Sequence, residues 1–391
     1  MINGLSQEQC TGCSACMQVC PVKCISMCEN EEGFLYPQIG SSCIECSKCE
    51  RVCPIINQTQ VRLNVPQKAY ASRTKKYDVW KKSASGGAFL EICRAWDDGK
   101  TVFVGAAWDG FKVKHVCVDS IKDAEIFCKS KYISSDLENS FSDIKKVLES
   151  GNKVVFSGTP CQVNGLKAFL GKEYEKLLLI DIICHGVGSP KVFETCIQIL
   201  EKQFNITIKK YGFRYKKRYY VKDHIQCLTL DNGNRMLIQN DPYMQLFTSQ
   251  DCLRESCGKN CIYRNESRQG DITIGDFKHL NNIFPLLRGS KYNYSTIVLN
   301  NIKSQKLYKK LYETMEMREC NVSDIAKYNP IFARHTYFSK KRDLFFGEYV
   351  ENPVKTIKKW TQDAQIYKQS FKSKVFGLLP TFIRKKIIKS V

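Results

Sequence analysis

The feature that most constrains this chain is a cysteine pattern that occurs twice within its first 53 residues. In each copy four cysteines follow the spacing C-x2-C-x2-C-x3-C, and a proline comes directly after the fourth. The two copies consist of Cys10, Cys13, Cys16 and Cys20 before Pro21, and of Cys43, Cys46, Cys49 and Cys53 before Pro54. Three explanations of such a pattern have to be compared: disulfides, structural zinc sites and iron–sulfur clusters.

The spacing indicates two 4Fe–4S clusters, because bacterial ferredoxins use the same run of cysteines. The first three cysteines of a copy surround one cluster, and the fourth, fixed on a turn by the proline, ligates the other. We therefore predict site I, made of Cys10, Cys13, Cys16 and Cys53, and site II, made of Cys20, Cys43, Cys46 and Cys49. Disulfide frameworks are typical of small secreted domains, and structural zinc sites use two C-x2-C pairs. The pattern predicts electron transfer.

Length and composition indicate how many domains the chain forms and where in the cell it is found. The 391 residues, with 43% hydrophobic and 25% charged content, predict two domains with appendages. Residues 1–9 lack the basic start and apolar core of a signal peptide, and the longest apolar stretch, 177–184, is short and contains Asp181. Together with 21 cysteines, these observations predict a cytoplasmic protein, peripheral at the inner membrane face at most.

The formal net charge of +21 bears on the partners. Three clusters of charge about −2 each would lower it to about +15, which is still strongly basic. We expect a basic surface to attract an acidic electron carrier such as ferredoxin, or an anionic cofactor, or to contact a membrane. Zinc-finger spacing, RNP-type aromatic strands and heptads are all missing from the sequence, so no nucleic-acid partner is expected.

The predicted fold class is α+β, with an N-terminal bacterial-ferredoxin-like domain and a larger mixed α/β domain. The predicted boundaries are 1–57 for the ferredoxin-like domain, 58–68 for a linker, 69–340 for the second domain and 341–391 for a basic, peripheral tail. Strands are predicted at 101–107, 112–118, 153–156, 177–184, 225–230, 235–239, 271–275 and 295–299. Helices are predicted at 87–96, 141–150, 161–170, 191–204 and 305–315.

The basic tail contains apolar residues between its lysines and arginine: Phe376, Leu379, Phe382, Ile383, Ile387 and Ile388. One interpretation is an amphipathic helix that lies on a membrane or on a partner protein. The other, which we favour from sequence, is a solvated helix that packs on its own domain.

A third set of cysteines follows two predicted strands of the second domain. Thr159 is placed to cap a helix that begins at Pro160, so Cys161 lies in the first turn, where helix N–H groups lower a thiol's pKa. The next strand ends at Cys184, and consecutive parallel strands end at the same edge of a sheet. With Cys257 and Cys261, these residues form a predicted site III for another 4Fe–4S cluster. The alternative is that they are buried structural cysteines.

Seven further motifs identify a family. They are S-A-S-G-G at 83–87, S-K-Y at 130–132, G-T-P-C-Q at 158–162, D-I-I-C-H-G-V at 181–187, F-R-Y-K at 213–216, L-R-E-S-C at 253–257 and R-Q-G-D-I-T-I-G-D-F at 268–277. With them the chain closely resembles the coenzyme F-420 hydrogenase/dehydrogenase beta-subunit family. That family includes the flavin subunit of an archaeal hydrogenase and a plant chlorophyll reductase, and the resemblance covers residues 1 to about 300.

The resemblance implies that the second domain is a mixed α/β flavin-binding domain with one FAD beside the cluster of site III, and thus three 4Fe–4S clusters in all. Two features depart from the family pattern. The last cysteine pair is C-x3-C rather than C-x2-C, so Cys252 remains an alternative ligand to Cys257 or Cys261. Lys278 stands where the family commonly has tryptophan after G-D-F.

The residues expected at the flavin have both a functional and a plain structural interpretation. The Ser85-Gly86-Gly87 turn opens a helix, so bare N–H groups can approach a pyrophosphate or the flavin ring. The other candidates are Lys131, Tyr132 and Ser134 for phosphate or ring oxygens, Thr159 and Gln162 beside the ring, Asp271 and Asp276 for ribityl hydroxyls or a basic group, and Arg214 and Arg268 for anionic groups. The alternatives are a helix start, a solvated turn, a strand end and surface arginines. His185 is a candidate proton donor, or a hydrogen-bond donor to cluster sulfur.

These expectations combine into an iron–sulfur flavoprotein oxidoreductase. Single electrons from a reduced carrier pass through the clusters to FAD, which reduces a small-molecule acceptor by hydride transfer. The acceptors that the resemblance implies are coenzyme F-420, a tetrapyrrole or a substrate of glycan assembly. The alternative is a non-catalytic subunit that relays electrons to a partner enzyme. No G-x-G-x-x-G or P-loop motif indicates a nicotinamide or nucleotide triphosphate site.

Overall fold

The computed structural model describes residues 2–57, 64–216, 225–258, 261–333 and 339–368, together with Leu379 and Ile383. Most of the predicted linker 58–68, and Phe376, Phe382, Ile387 and Ile388 of the predicted tail helix, lie outside the described residues. None of the helices in the described part of the chain is long and apolar enough to cross a membrane.

The N-terminal unit is built around the repeated cysteine motif. Its elements are a 3-10 turn Ile2–Gly4, helix α1 Ala15–Val19, an antiparallel hairpin of strands β1 Ile25–Glu29 and β2 Leu35–Ile39, and helix α2 Lys48–Arg51. The residues before α1 and α2, Ser14 and Ser47, occupy equivalent positions of the repeat and are both left-handed, with φ of 58° and 55°. The core of this unit is small and is formed by cysteine sulfur as well as by Ile2 and Ile25.

The larger part of the chain is organised by an eight-stranded sheet. Its strands are β3 Lys68–Thr74, β4 Val102–Asp109, β5 Lys112–Val118, β6 Val154–Gly158, β7 Leu177–Ile182, β11 Ile272–Asp276, β12 Ser295–Leu299 and β13 Met315–Cys320. Their order is β13-β3-β12-β11-β7-β6-β4-β5. The four central strands β11, β7, β6 and β4 are parallel, and the strands on either side pair antiparallel.

Both faces of the parallel strands are covered, which explains why most positions of these strands are apolar. Along β6, Val155 faces a core shared with helices α4 Ala88–Trp96 and α11 Tyr308–Thr314. Phe156 faces the opposite core, shared with helices α5 Ser140–Glu149 and α6 Pro160–Leu170. The fold class predicted from the sequence, α+β with a ferredoxin-like N-terminal part, is confirmed.

A second, smaller sheet packs beside the first. Its strands, in the order β14-β10-β9-β8, are β8 Ile208–Gly212, β9 Gln226–Leu230, β10 Arg235–Gln239 and β14 Gln365–Ile366. Helices α7 Pro190–Phe204, α8 Pro242–Ser249, α14 Arg342–Glu351 and α15 Pro353–Trp360 share one core with it. The remaining helices are α3 Tyr77–Lys82, α9 Leu280–Ile283, α10 Ile302–Gln305, α12 Val322–Tyr328 and α13 Pro330–Ala333, with 3-10 turns at Asp123–Phe127, Glu255–Cys257 and Pro285–Leu287.

The structure differs from the sequence-based expectations mainly at the two ends of the second domain. Residues 342–360 were expected to be peripheral, but Phe345, Phe346, Tyr349 and Ile357 are buried in the core of the smaller sheet. Strands β1, β2, β3, β8, β13 and β14 were not predicted. The predicted helix 305–315 is split into α10 and α11, and its last residue, Met315, begins β13.

The N-terminal unit docks on the rest of the chain through the loop between β1 and β2. The Glu32 carbonyl accepts a 2.5 Å hydrogen bond from the Ser189 hydroxyl, and the Glu32 carboxylate pairs with the buried guanidinium of Arg342. Gly33, with φ of +87°, lies directly against Lys191 and Ser189, so that a Cβ atom there would overlap both. The loop therefore fits only because this position lacks a side chain.

Gly33→Ala should destabilise the protein through this contact. Gly233→Ala is the matched control, since Gly233 has a similar φ of +81° but no atom within 4 Å of an added Cβ. Both variants carry the left-handed penalty of about 1 kcal/mol, and Gly33→Ala should lose about 1–3 kcal/mol more through overpacking. Urea unfolding under anaerobic conditions measures the difference. Equal losses in the two variants would contradict this account of the docking contact.

Candidate functional site

The four cysteines of site I line one small cavity of ≈ 20 Å³ in the N-terminal unit. Burial, followed by the neighbouring thiols of Cys10 and Cys53, raises the pKa of Cys16 to about 12. Cys53 belongs to the second copy of the motif and the others to the first, so the structure brings the two copies together in the exchanged arrangement that the spacing predicts.

The cysteines of site II lie closer to the surface, and a cysteine outside the motif joins them. The Cys24 thiol is 3.4 Å from the Cys20 thiol and also interacts with Cys43, while Cys43, Cys46 and Cys49 are half-buried. Cys24 was not among the predicted ligands, because it falls outside the repeated spacing. Its position four residues after Cys20 was the only signal in the sequence.

Site III is a cavity of ≈ 40 Å³ at the carboxyl end of the parallel strands, and all four predicted cysteines line it: Cys161, Cys184, Cys257 and Cys261. Cys252, the alternative ligand, does not line it. Its side chain is fully buried in the core of the smaller sheet, near Cys196. The geometry therefore favours the C-x3-C pair over Cys252.

Two local structures bring Cys161 and Cys184 to one point. Helix α6 begins at Pro160 as predicted, with a capping box formed by Thr159 and Gln162, and the Thr159 hydroxyl lies 3.0 Å from the Cys161 thiol. Strand β7, which is parallel to β6, ends at Ile182, two residues before Cys184. Both cysteines therefore follow neighbouring strands at the same edge of the sheet.

The loop that carries the other two sulfurs is held by main-chain contacts. The Val187 amide lies 3.4 Å from the Cys257 thiol, and the Arg254 amide donates to the Val187 carbonyl. The close packing of this loop requires a glycine at position 186, where φ is +133°, because an added Cβ would lie 2.7 Å from Leu253 and 3.2 Å from Cys257.

The protonation of these thiols differs from the sequence-based expectation. Burial raises the pKa of Cys161 to about 12, although the Thr159 hydrogen bond opposes the shift, and burial also raises the pKa of Cys184 and of Cys257. Desolvation thus outweighs the helix N-terminus. Thiolates in this cavity need a compensating cation, which the iron of a cluster supplies, so the four residues fit such a group. In the described part of the chain, no three or more His, Cys, Asp or Glu side chains are close enough to hold a single metal ion.

A larger cavity of ≈ 290 Å³ adjoins site III at the same edge of the sheet. Thr159, Gln162, Cys184 and Gly186 line both cavities and form the wall between them. The larger cavity is also lined by most of the residues expected to bind flavin, which are Ser85, Gly87, Lys131, Tyr132, Arg214 and Asp276, and by His185, the candidate proton donor. The wall is rigid, because Gln162 accepts a 2.9 Å hydrogen bond from the Thr159 amide and donates a 2.8 Å bond to Ser135.

In the turn at 85–87, Gly86 packs against the sheet and Gly87 lines the larger cavity. Gly86 donates its N–H to the Ser295 hydroxyl at 2.7 Å and is pressed against β3 and β12, so this N–H is not free for a cofactor. Gly87, with φ of +93°, precedes the first residue of α4 and faces the cavity. The N-terminus of α4 therefore supplies the anion-attracting end that the sequence predicted.

The charged candidates have different roles. The Lys131 ammonium donates to the carbonyls of Ile126, Phe127 and Cys128, at 3.2–3.4 Å, so it stabilises a turn rather than presenting its charge to the cavity. Burial lowers the pKa of this amine to about 8. The Arg214 guanidinium bonds the Asp276 carboxylate at 2.5 Å, and both line the cavity.

Three predicted residues lie elsewhere. Ser134 and Arg268 line the site III cavity, where the buried Arg268 guanidinium donates to Thr273 and to the Phe332 carbonyl. Asp271 precedes β11, at the end of the strand opposite to Asp276, and accepts hydrogen bonds from the Leu179 amide and the Asn301 side chain. A five-residue strand separates Asp271 from the cavity by about 16 Å, which the spacing of the motif did not reveal.

Two histidines face the cavity with a buried ring nitrogen that has no hydrogen-bond partner among the described residues. They are His185, through Nε2, and His115, through Nδ1. Burial lowers the pKa of His185, and lowers that of His115 to about 4, so both rings are neutral at pH 7. Such orphaned nitrogens fit a polar ligand like a flavin ring. His115 was missed by the sequence analysis, although it lies at an inward position of the alternating strand β5.

The comparisons with known proteins follow the same division of the chain. Residues 151–325 match the family model that describes the C terminus of the beta subunit of coenzyme F420 hydrogenase/dehydrogenase, and residues 5–26 match the 4Fe-4S binding domain. No curated protein matches the chain.

Among solved structures, the chain is similar to one from the F420-reducing NiFe hydrogenase complex of Methanosarcina barkeri. The identity is 14%, the match covers 77% of this chain and 92% of that chain, and the TM-score is 0.41.

The family predicted from the sequence motifs is confirmed by the two family models. The chain carries a 4Fe-4S binding domain at residues 5–26, and its residues 151–325 match the C terminus of the coenzyme F420 hydrogenase/dehydrogenase beta subunits.

Proposed function

We propose that this protein is an iron–sulfur flavoprotein that passes electrons from a reduced carrier through three 4Fe–4S clusters to FAD, for hydride transfer to a small organic acceptor. The observation that carries the proposal is the position of site III. Its cavity is bounded on one side by Thr11 and Gly12, which lie between two cysteines of site I, and on the other side by the wall of the larger cavity. Sites I and III and the larger cavity thus form a continuous series.

The step from site I to site III depends on one face of helix α6. Cys161 and Gly165 are one turn apart on this face. Gly165 lies against Cys13, so that an added Cβ would be 2.8 Å from the Cys13 Cβ and 3.0 Å from its sulfur. A ligand of site I therefore touches the helix that presents a ligand of site III, and no other side chain intervenes at this contact.

The step from site III to the cofactor crosses the wall formed by Thr159, Gln162 and Cys184. When bound, FAD would accept electrons singly and transfer them in pairs, which is the conversion that a hydride acceptor requires. Ser85, Gly87 and the N-terminus of α4 would hold its anionic part, and Arg214 with Asp276 its polar edge. His185 and His115 would donate or accept hydrogen bonds through their unpartnered nitrogens.

The acceptor that the family name favours is coenzyme F-420 or a molecule like it. A substrate of glycan assembly is the second acceptor class that we propose. Lys278, whose charge acts on His185, adds a positive charge beside the Arg214–Asp276 ion pair of the cavity wall, which suits an anionic acceptor.

Electrons would enter at site II, whose cysteines are half-buried and next to the exposed Ile44, with 60% of its surface accessible. An acidic carrier such as ferredoxin is the partner that the basic charge of the chain favours. A relay subunit that hands its electrons to a partner enzyme is the alternative function. Turnover of a small acceptor by the isolated chain with reduced ferredoxin distinguishes the two, because a relay subunit would show none.

Cofactor analysis of two cysteine variants tests the proposal. The anaerobically purified protein should contain about twelve irons and one flavin per chain. Cys161→Ser should lose about four irons and prevent reduction of the flavin by the N-terminal clusters, whose own spectra should remain. Cys252→Ala is the matched control and should keep all its iron, because Cys252 does not line site III. Full iron content in Cys161→Ser, or a loss in Cys252→Ala, would contradict the proposed ligand set.

The contact between Cys13 and Gly165 makes a second prediction. Gly165→Ala should slow flavin reduction several-fold at unchanged iron content, because the new Cβ separates the site I loop from α6. Gly347→Ala, in helix α14 with no atom within 4 Å of an added Cβ, is the control. The control should reduce its flavin at the wild-type rate and gain about 1 kcal/mol of stability from the better helix propensity. Stopped-flow absorbance at the flavin band measures both rates, and a wild-type rate in Gly165→Ala would refute this route.

A further inference from the structure

One buried arginine connects the loop of site III with the cysteines of site I. Arg254 is only 1% exposed, and its Nε donates a 2.9 Å hydrogen bond to the carbonyl of Cys10. Its Nη2 lies 3.9 Å from the Cys10 sulfur and donates to the Leu35 carbonyl at 3.0 Å. The guanidinium also stacks 4.0 Å above the ring of Tyr36, which fixes its plane.

The main chain of Arg254, unlike its side chain, contacts the loop of site III. Its carbonyl accepts a 2.9 Å hydrogen bond from the amide of Cys257, a predicted ligand of site III. Gly12, which lines site III between Cys10 and Cys13, has φ of +68°, and a Cβ there would lie 2.9 Å from Nη1 of Arg254. The side chain is thus enclosed between the two cysteine sites.

The charge of this guanidinium needs a partner, because an uncompensated buried charge costs several kcal/mol. Within the described residues, no carboxylate lies within 4 Å of the Arg254 nitrogens. Arg342, the other fully buried arginine at the docking contact, pairs with Glu32. The negative group that faces Arg254 is instead the sulfur of Cys10, which would be a thiolate in a cluster of net negative charge.

We propose that Arg254 sets the reduction potential of site I. A fixed positive charge in a buried environment lowers the free energy of the state in which one additional electron resides at site I, and hydrogen-bond donors near cluster sulfur act in the same direction. The electron comes from the reduced carrier through site II, and no proton accompanies it, because Arg254 is already charged. Arg254 thereby makes site I a better acceptor than site II and directs electrons inward.

Anaerobic redox titration of the full chain, followed by low-temperature EPR, tests this role. The signal that Cys46→Ser removes belongs to site II and serves as an internal reference. Arg254→Gln removes the charge but keeps a donor for the Cys10 carbonyl, and should shift the reduction equilibrium of site I at least tenfold, about 59 mV downward for one electron. Arg254→Lys keeps the charge and should remain within tenfold of the wild type. Site II should not shift in either variant.

Arg342→Gln is the matched control, since it removes a buried arginine from the same docking contact without touching a cysteine. An unchanged site I potential in iron-replete Arg254→Gln would overturn the proposal, and so would equal shifts in Arg254→Gln and Arg342→Gln. If Arg254→Gln loses its clusters, Arg254→Lys decides, because a fall of tenfold or more at retained charge contradicts an electrostatic role. The inference rests on the clusters of the proposed function but not on its flavin. A wild-type protein without cluster signals would therefore refute the function, whereas unshifted signals refute only the role of Arg254.

Discussion

The parallel pairing of β6 with β7 is the constraint on which the whole functional region depends. Because both strands end at one edge of the sheet, Cys161 at the start of α6 and Cys184 after β7 meet without any long loop. A reversal of either strand would place its cysteine about 16 Å away, at the opposite end of a five-residue strand. The N-terminal unit packs at the same edge, where its residues Thr11 and Gly12 line site III. The geometry of the sheet therefore determines both where site III lies and which part of the chain covers it.

Burial has two opposing consequences at this edge. It raises the pKa of the site III thiols, so that without a bound cation these cysteines stay protonated. It also strengthens every interaction between charges in the region. Arg264 and Arg268 line site III, the Arg214–Asp276 pair lines the larger cavity, and Arg254 contacts Cys10 of site I. Asp276 compensates the charge of Arg214, and Asp181 that of Arg268, whereas Arg254 faces the sulfur of Cys10. Under the proposed function, a negatively charged cluster would compensate the buried charge of Arg254.

The sequence predicted the chemistry better than the surroundings of the site. Runs of β-rich residues predicted the four central strands, and the cysteine spacing and the strand order predicted which cysteines lie together at sites I and III. That these cysteines ligate clusters stays a prediction. Strand β3 was missed because its pairing with β12 and β13 is determined by residues more than 200 positions away. Lys131 and Gly86 were assigned to a ligand because the sequence does not reveal which backbone or side-chain groups already occupy their donors. Asp271 and Asp276 share a motif, but the strand between them sends them to opposite ends of the sheet.

The C-terminal helices α14 and α15 complete a core that already contains Phe34 of the N-terminal unit and helix α7. They also supply Arg342, the partner of Glu32 in the hairpin loop of the N-terminal unit. When the ribosome has synthesised the sheet, the contacts of the N-terminal unit with Gly165, Ser189 and Arg254 are already available, but its ion pair with Arg342 is not. The docking surface is therefore completed only after α14 has left the exit tunnel.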